Sequence, residues 1–267
     1  MLRKISKINY RYISVLMLGL ISFPLILLKV QGESPPNQVS LIQFLQKKDE
    51  PPPDLGDKGA PVGRVQGGPR SPNNCPHIQP PLTAIVPSIL EPSLLTLVWG
   101  TTIKSSPSLW FYVPYSPRDV ESSKLIIWDG VADRRKHPPV YQGNVTLEAT
   151  PGIIRLSLAD KIKLEDNQKY HWYLSVSLKC NPQDDIGVNG WVWIDTEKLN
   201  SLTPTLAGKS KEEQAFILAQ EGIWQDAFTL AVENSPADWR KLLMDIDLDD
   251  IVTERVVDCC SLVDSGE

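Results

Sequence analysis

Between residues 82 and 196 apolar and polar positions alternate in short runs, the period-two pattern of strands that bury one face. The clearest run is 170–178, where Tyr170, Trp172, Leu174, Val176 and Leu178 alternate with His171, Tyr173, Ser175 and Ser177. Residues 82–86, 109–113, 124–128, 140–147 and 153–158 predict further strands, bounded by Pro114 and Pro117, Pro138 and Pro139, and Pro151 with Gly152. A last strand, 188–194, places Val188, Gly190, Val192 and Ile194 on one side and Asn189, Trp191, Trp193 and Asp195 on the other. No long amphipathic helix intervenes to make parallel crossovers. The pattern therefore predicts an antiparallel, immunoglobulin-like β-sandwich domain over 82–196.

From residue 197 apolar positions recur at the spacing of helices that bury one stripe. Ser210 with Glu213 forms a capping box ahead of Phe216, Ala219 and Ile223, and Gly222 supplies a stop. Trp224, Ala227, Phe228 and Ala231 mark the next helical face. Ser235 then caps a helix with Pro236 at its first position and Asp238 at its third, and Trp239, Leu242, Leu243 and Ile246 repeat the stripe. A short further helix is expected after Asp247. The hairpin around Gly222, Trp224 and Ala227 is similar to half of a tetratricopeptide repeat, but no second copy follows, which excludes a solenoid. The predicted class is α+β: the sandwich-like domain, a small helical bundle over 197–258 packed on its sheet, and a C-terminal tail over 259–267.

The N-terminal third reads differently. Arg3, Lys4, Lys7 and Arg11 precede an apolar run from 13 to 28, and Gly32 offers a small residue before a cleavage point, so 1–32 reads as a secretory signal. The run has 16 residues with Pro24 inside it, short of the roughly 20 of a spanning helix. Cleavage is the expected fate, with an uncleaved inner-membrane anchor as the alternative, and membrane contact is confined to 1–32. Either way the remainder emerges on the far side, in the periplasm or outside the cell. Residues 33–81 hold 11 of the 23 prolines and none of the eight tryptophans, and read as an extended Pro/Gly-rich linker in which only 41–45 suggests a helical turn.

At 42% hydrophobic and 22% charged, the chain is neither disordered throughout nor a multi-span membrane protein. Its net charge of -5 divides into +5 over 1–32, -1 over 33–196 and -9 over 197–267. The basic block belongs to the targeting segment, so nucleic acid is not an expected partner. Export makes disulfides the natural state of Cys75, Cys180, Cys259 and Cys260, which lack the paired spacing of a zinc site. Three pairings are open. A Cys75–Cys180 bridge would pin the end of the linker to the domain, worth roughly 4–5 kcal/mol in the chain-entropy account. The adjacent Cys259 and Cys260 read as a free pair on a frayed terminus or as an inter-chain link.

Catalytic and metal signatures fail on spacing. Asp245, Asp247, Asp249 and Asp250 resemble a calcium loop, yet Asp250 stands where a turn glycine belongs and Val256 where a bidentate glutamate belongs. Gly208, Lys209 and Ser210 mimic the end of a phosphate loop with Thr203 in place of its first glycine, and Gly63, Arg64, Gly67, Gly68 and Arg70 lack the strand and helix of a phosphate cradle. His77, His137 and His171 form no zinc-protease motif, and Glu165 with Asp166 is a carboxylate pair in a polar turn. No cofactor or metal is predicted. What remains is aromatic: Trp191 and Trp193 share an outward parity with Trp110, Tyr112, Trp128, His171 and Tyr173. If their strands are neighbours, one sheet face is aromatic, and either the C-terminal helices cover it or it docks a partner or sugar.

The order of motifs resembles a known family. Residues 51–53 (three prolines), Gly59-Ala60-Pro61, Gly67-Gly68-Pro69-Arg70, Cys75 and the stretch from Leu82 to Pro87 look like the opening of the cyanobacterial domain of unknown function 928. Phe111-Tyr112-Val113-Pro114, Thr150-Pro151-Gly152-Ile153, Tyr170-His171-Trp172-Tyr173, Cys180-Asn181-Pro182 and the stretch from Gly222 to Ala227 continue it in order. The resemblance implies an exported β-rich domain with a helical tail, family cysteines at Cys75 and Cys180, and no assigned activity. Cys259 and Cys260 fall outside it. The expectation is an exported, non-enzymatic module that binds an envelope protein or polysaccharide through Trp191, Trp193, His171 and Tyr173. The enzymatic alternative is a hydrolase using Glu165, Asp166 or His171.

Overall fold

A computed structural model describes residues 42–44, 63–65, 75, 77–90, 96–130 and 138–264. The segment 1–32, and with it the signal reading, lies outside the described residues, as do most of 33–81, residues 131–137 with His137, and the last three residues. Among the described residues, ten strands and four α-helices follow in order: β1 (Thr83–Ala84), β2 (Ser88–Leu90), β3 (Thr96–Thr102), β4 (Ser108–Val113), β5 (Val120–Asp129), β6 (Tyr141–Val145), β7 (Gly152–Ser157), β8 (Lys169–Leu178), β9 (Asn181–Ile194), α1 (Thr196–Leu206), α2 (Lys211–Gln220), α3 (Trp224–Asn234), α4 (Pro236–Asp245) and β10 (Leu262–Asp264). Among the described residues no helix is long and apolar enough to cross a membrane.

The strands form a three-stranded sheet, β1-β4-β7, and a seven-stranded sheet, β10-β6-β5-β8-β9-β3-β2. Between them Phe111 of β4 meets Trp172 of β8 edge to face at 5.4 Å, and Leu109, Leu125, Ile127, Ile154 and Leu156 of β4, β5 and β7 are fully buried. The larger sheet is mixed, where the sequence predicts antiparallel strands, because β3 runs parallel to β9. No hairpin joins these two: after β3 the chain passes into the other sheet, so its direction beside β9 is not set by a tight turn. β3 also escapes the period-two reading, since Leu94, Leu95, Leu97, Val98 and Trp99 run together without polar alternation.

The helices realise the predicted stripes. Ser210 and Glu213 form the capping box of α2, and Gly222, at φ +77°, ends the hairpin between α2 and α3 in a left-handed conformation suited to glycine. Ser235 occupies the cap position of α4 but makes no side-chain hydrogen bond there. A helix not singled out in advance, α1, precedes the capping box, with Asp195 accepting the Lys198 N–H at 2.9 Å. The short helix expected after Asp247 is a 3-10 turn, Asp249–Ile251.

Helix α3 is central. All its residues from Trp224 to Ala231 are buried, which marks a core helix, and two of its polar residues become ties to the sheets. Asp226 Oδ2 accepts from Thr102 Oγ1 at 2.8 Å and from the Ile103 N–H at 2.9 Å, both at the end of β3. Thr229 Oγ1 accepts from Trp110 Nε1 of β4 at 3.0 Å, and Phe228 packs edge to face on the same indole at 5.4 Å. Trp224 stacks on Phe228 and donates from Nε1 to the Ile85 carbonyl at 2.9 Å. One helix thus bonds to both sheets.

Parts of the Pro/Gly-rich region pack on this core. Ile42 and Phe44 are buried, without helical structure. Phe44 meets Trp224 edge to face at 4.9 Å, and its N–H donates to Asp245 at 2.8 Å. Arg64 donates to the carbonyls of Ile246 at 2.5 Å and Asp247 at 3.2 Å, where α4 leaves carbonyls without intrahelical partners. Burial lowers its pKa, and Asp247 opposes the shift. Cys75 is bonded to Cys180 with Cα atoms 5.4 Å apart, joining the chain before β1 to the β8–β9 turn. Cys259 and Cys260 are bonded to each other, in place of the free or inter-chain pair expected. The described stretch just after them is paired, since β10 lies along β6.

Replacing Asp226 with alanine leaves a buried hydroxyl and a partly buried amide without this acceptor and is expected to lower the unfolding free energy by roughly 2–4 kcal/mol. Lys104→Ala, which removes a half-exposed ammonium 3.4 Å from the same carboxylate, is expected to cost under about 1 kcal/mol. Denaturant unfolding of both variants checks the contrast. Tyr112 and Tyr115 are each pushed from 10.0 up to about 12, by burial in both cases and by nearby Glu254 at Tyr112. The folded chain therefore keeps phenolic protons that the unfolded chain releases from pH 10.0, so stability falls as pH rises from there toward 12. A phenolate absorbance titration followed alongside circular dichroism is expected to show these two rings ionising only as the fold is lost.

Candidate functional site: the outer face of the larger sheet

Strand register assembles the aromatic residues. Trp128 pairs with His171 across β5 and β8, His171 with Trp191 across β8 and β9, and Trp191 with Trp99 across β9 and β3. Directly opposed residues point to the same side of a sheet, so these four rings form one row across four strands on the side away from Trp172. On one flank Ile126, Tyr173 and Asn189 are opposed, and on the other Lys169, Trp193 and Thr101.

The predicted residues His171, Tyr173, Trp191 and Trp193 are thus brought to one face, together with Trp128. Trp110 and Tyr112 are not. They lie on β4 of the other sheet, where α3 covers Trp110, and Arg155 lies over the same indole at 5.9 Å. Trp99 joins the face without having been singled out; the signal was its parity within 96–102, legible only once that run is read as a strand.

The face has a closed centre and a more open rim. His171, Asn189 and Trp191 are 2%, 3% and 3% exposed, whereas Trp99, Trp128, Tyr173 and Trp193 are half-buried. The His171 ring meets Trp191 edge to face at 4.9 Å and lies 6.0 Å from Trp128. Its Nε2 is 3.2 Å from Asn189 Oδ1, a contact in which only the ring nitrogen can donate. Gly130, just after β5, lets the backbone close against Trp191: a Cβ there would lie 2.6 Å from Cζ3 of the indole. At the rim, Lys169 Nζ sits 5.6 Å from the centre of the Trp193 ring, a cation over an aromatic face. The Tyr173 phenol is shifted upward by burial and by the charge of Asp185.

Chemically, the face offers flat apolar area edged by polar groups, which suits binding. The hydrolase residues are arranged differently: Glu165 and Asp166 are exposed in the turn before β8, while His171 is buried in the aromatic row. The acidic run after α4 is occupied by structure, since Asp245 pairs with Lys241 and accepts from Phe44, and Asp247 gives its carbonyl to Arg64. Among the described residues no group of three or more His, Cys, Asp or Glu side chains is placed to hold a metal ion.

Against known families, residues 65–256 match a Domain of Unknown Function (DUF928). No curated protein and no solved structure matches the chain.

The two tryptophans of β9 are expected to behave differently. Trp191→Ala opens a cavity beside a buried polar pair and is expected to cost about 3–5 kcal/mol, while Trp193→Ala at the rim is expected to cost about 1 kcal/mol or less. Equal losses in denaturant unfolding would contradict this division between centre and rim.

Proposed function

The chain belongs to the DUF928 family, and we propose that it is an exported, non-enzymatic interaction module that docks a protein of the cell envelope on the outer face of its seven-stranded sheet. The observation that carries this reading is the cross-strand aromatic row and its flanks, which leave Trp99, Trp128, Tyr173 and Trp193 half-buried around a buried centre. Tryptophan and tyrosine held rigid at a surface supply large contact area at small entropic cost, the usual composition of interface anchors. Export is supported by the basic and apolar pattern of 1–32 and by the Cys75–Cys180 bridge, which suits an oxidising compartment. The contact of Phe111 with Trp172 between the sheets supports a sandwich-like, immunoglobulin-like reading of the β region.

An envelope polysaccharide is the second reading. Aromatic rings of neighbouring strands favour it, since they offer stacking platforms for sugars. Against it, Trp191 is buried, and the Lys169 ammonium lies over the Trp193 ring that a sugar would have to cover. A protein partner with an acidic or carbonyl group can accept from that lysine while packing on the rim.

The test is retention from a native envelope extract by the chain beginning at Glu33, compared with a Tyr173→Ala, Trp193→Ala double variant of matched circular dichroism and thermal midpoint. A specific envelope protein is expected to be retained, and its retention is expected to fall about tenfold or more in the variant, equivalent to about 1.4 kcal/mol. Variant-sensitive retention of polysaccharide alone would shift the assignment to the second reading, and retention indifferent to both substitutions would overturn this site.

A further inference from the structure

The last described segment stitches the two sheets together, and the bond between Cys259 and Cys260 sits at the stitch. On one side the Ile153 N–H donates to the Arg255 carbonyl at 2.8 Å and the Val257 N–H donates to the Ile153 carbonyl at 2.9 Å, which adds this stretch to β7 of the smaller sheet. Arg255 also donates to the carbonyls of Pro151 at 3.2 Å and Ala149 at 3.0 Å. On the other side the Thr146 N–H donates to the Ser261 carbonyl at 3.0 Å, the Ser261 N–H donates to Thr146 Oγ1 at 3.0 Å, and Leu262 opposes Val145 of β6 in the larger sheet. Only Asp258, Cys259 and Cys260 cross between these anchors. Cys260 makes the crossing at φ +73°, a left-handed conformation that a residue with a Cβ adopts only when something holds it there. The Cys259–Cys260 bond is a covalent constraint at that residue, and both cysteines lie beyond the 65–256 span of the family match.

We propose that Cys259–Cys260 is a site of thiol–disulfide exchange with a dithiol reductant, and that its opening releases β10 from the edge of β6. A thiolate of the dithiol attacks one sulfur of the pair; the Cys–Cys bond breaks as the mixed disulfide forms, and the second cysteine leaves as a thiolate that takes up a proton. The other thiol of the reagent then attacks the mixed disulfide, closes the reagent into its own disulfide and frees the first cysteine. The protein pair gains two electrons and two protons, and the dithiol loses them. With the ring open, Cys260 relaxes toward negative φ, and the three-residue crossing no longer delivers Ser261 and Leu262 in register with Thr146 and Val145. The β6 edge then presents unpaired backbone groups, the usual template for an added strand.

The experiment follows cysteine alkylation by peptide mapping and amide exchange in the full chain, with and without dithiothreitol. Without reductant, Cys259 and Cys260 are expected to resist alkylation. With it, both are labelled, and the Thr146 amide exchanges at least about tenfold faster while β8 amides stay protected. A Cys259→Ser, Cys260→Ser variant, which keeps Cys75–Cys180 intact, is expected to show the faster Thr146 exchange with no reductant at all. A Cys75→Ala, Cys180→Ala variant is expected to show the reductant effect undiminished, which assigns it to the vicinal pair. Alkylation of the pair before reduction, or unchanged Thr146 exchange in the doubly labelled chain or in the serine variant, would overturn the proposal.

Discussion

The carboxylate of Asp226 holds together two parts of the molecule that the chain itself separates. It is buried, and it accepts from a threonine hydroxyl and a backbone amide at the end of β3; a carboxylate so placed persists only because donors meet it. One turn further along α3, Thr229 meets the indole of Trp110 in the other sheet. The helix therefore works as a cross-brace, and its side chains set where the sheets lie relative to one another. Phe111 and Trp172 fill the space between them.

That arrangement decides which aromatic residues belong to the core and which belong to a surface. On the smaller sheet, the outward residue Trp110 is taken by the brace. On the larger sheet, the outward residues gather into a row of their own, with His171 Nε2 bonded to Asn189 Oδ1 at its centre. A polar pair buried among indoles is costly to disturb, because removing one partner takes a hydrogen bond from a desolvated group. Aromatic side chains packed around such a centre lose little further freedom on docking, which is what would make the proposed face economical in entropy.

Strand parity was the legible part of this site. Alternation alone places His171, Tyr173, Trp191 and Trp193 on one side of β8 and β9, because a side chain's direction along a strand depends on local geometry. It also groups Trp110 and Tyr112 with them, and there it misleads: parity tells which side of a strand a residue faces and says nothing of which sheet the strand joins. Burial was likewise not legible. Trp191 and Trp193 have the same parity and similar neighbours in sequence, yet the closure of Gly130 against Trp191 separates their fates. Composition misjudged the docked parts of the Pro/Gly-rich region for a related reason. Phe44 lies in a short apolar run and Arg64 among glycines, and their partners, Trp224 and Asp245 for Phe44 and the Ile246 and Asp247 carbonyls for Arg64, are far away in sequence.

The most direct test of the brace is native-state hydrogen exchange across the full chain at increasing denaturant. If α3 ties the sheets together, its central amides, those of β4 and those of β8 exchange through one shared opening whose free energy matches global unfolding. If the α3 amides instead open at a much lower free energy while β4 and β8 remain protected, the helix is a dispensable cover and the account of how this fold holds its aromatic face is wrong.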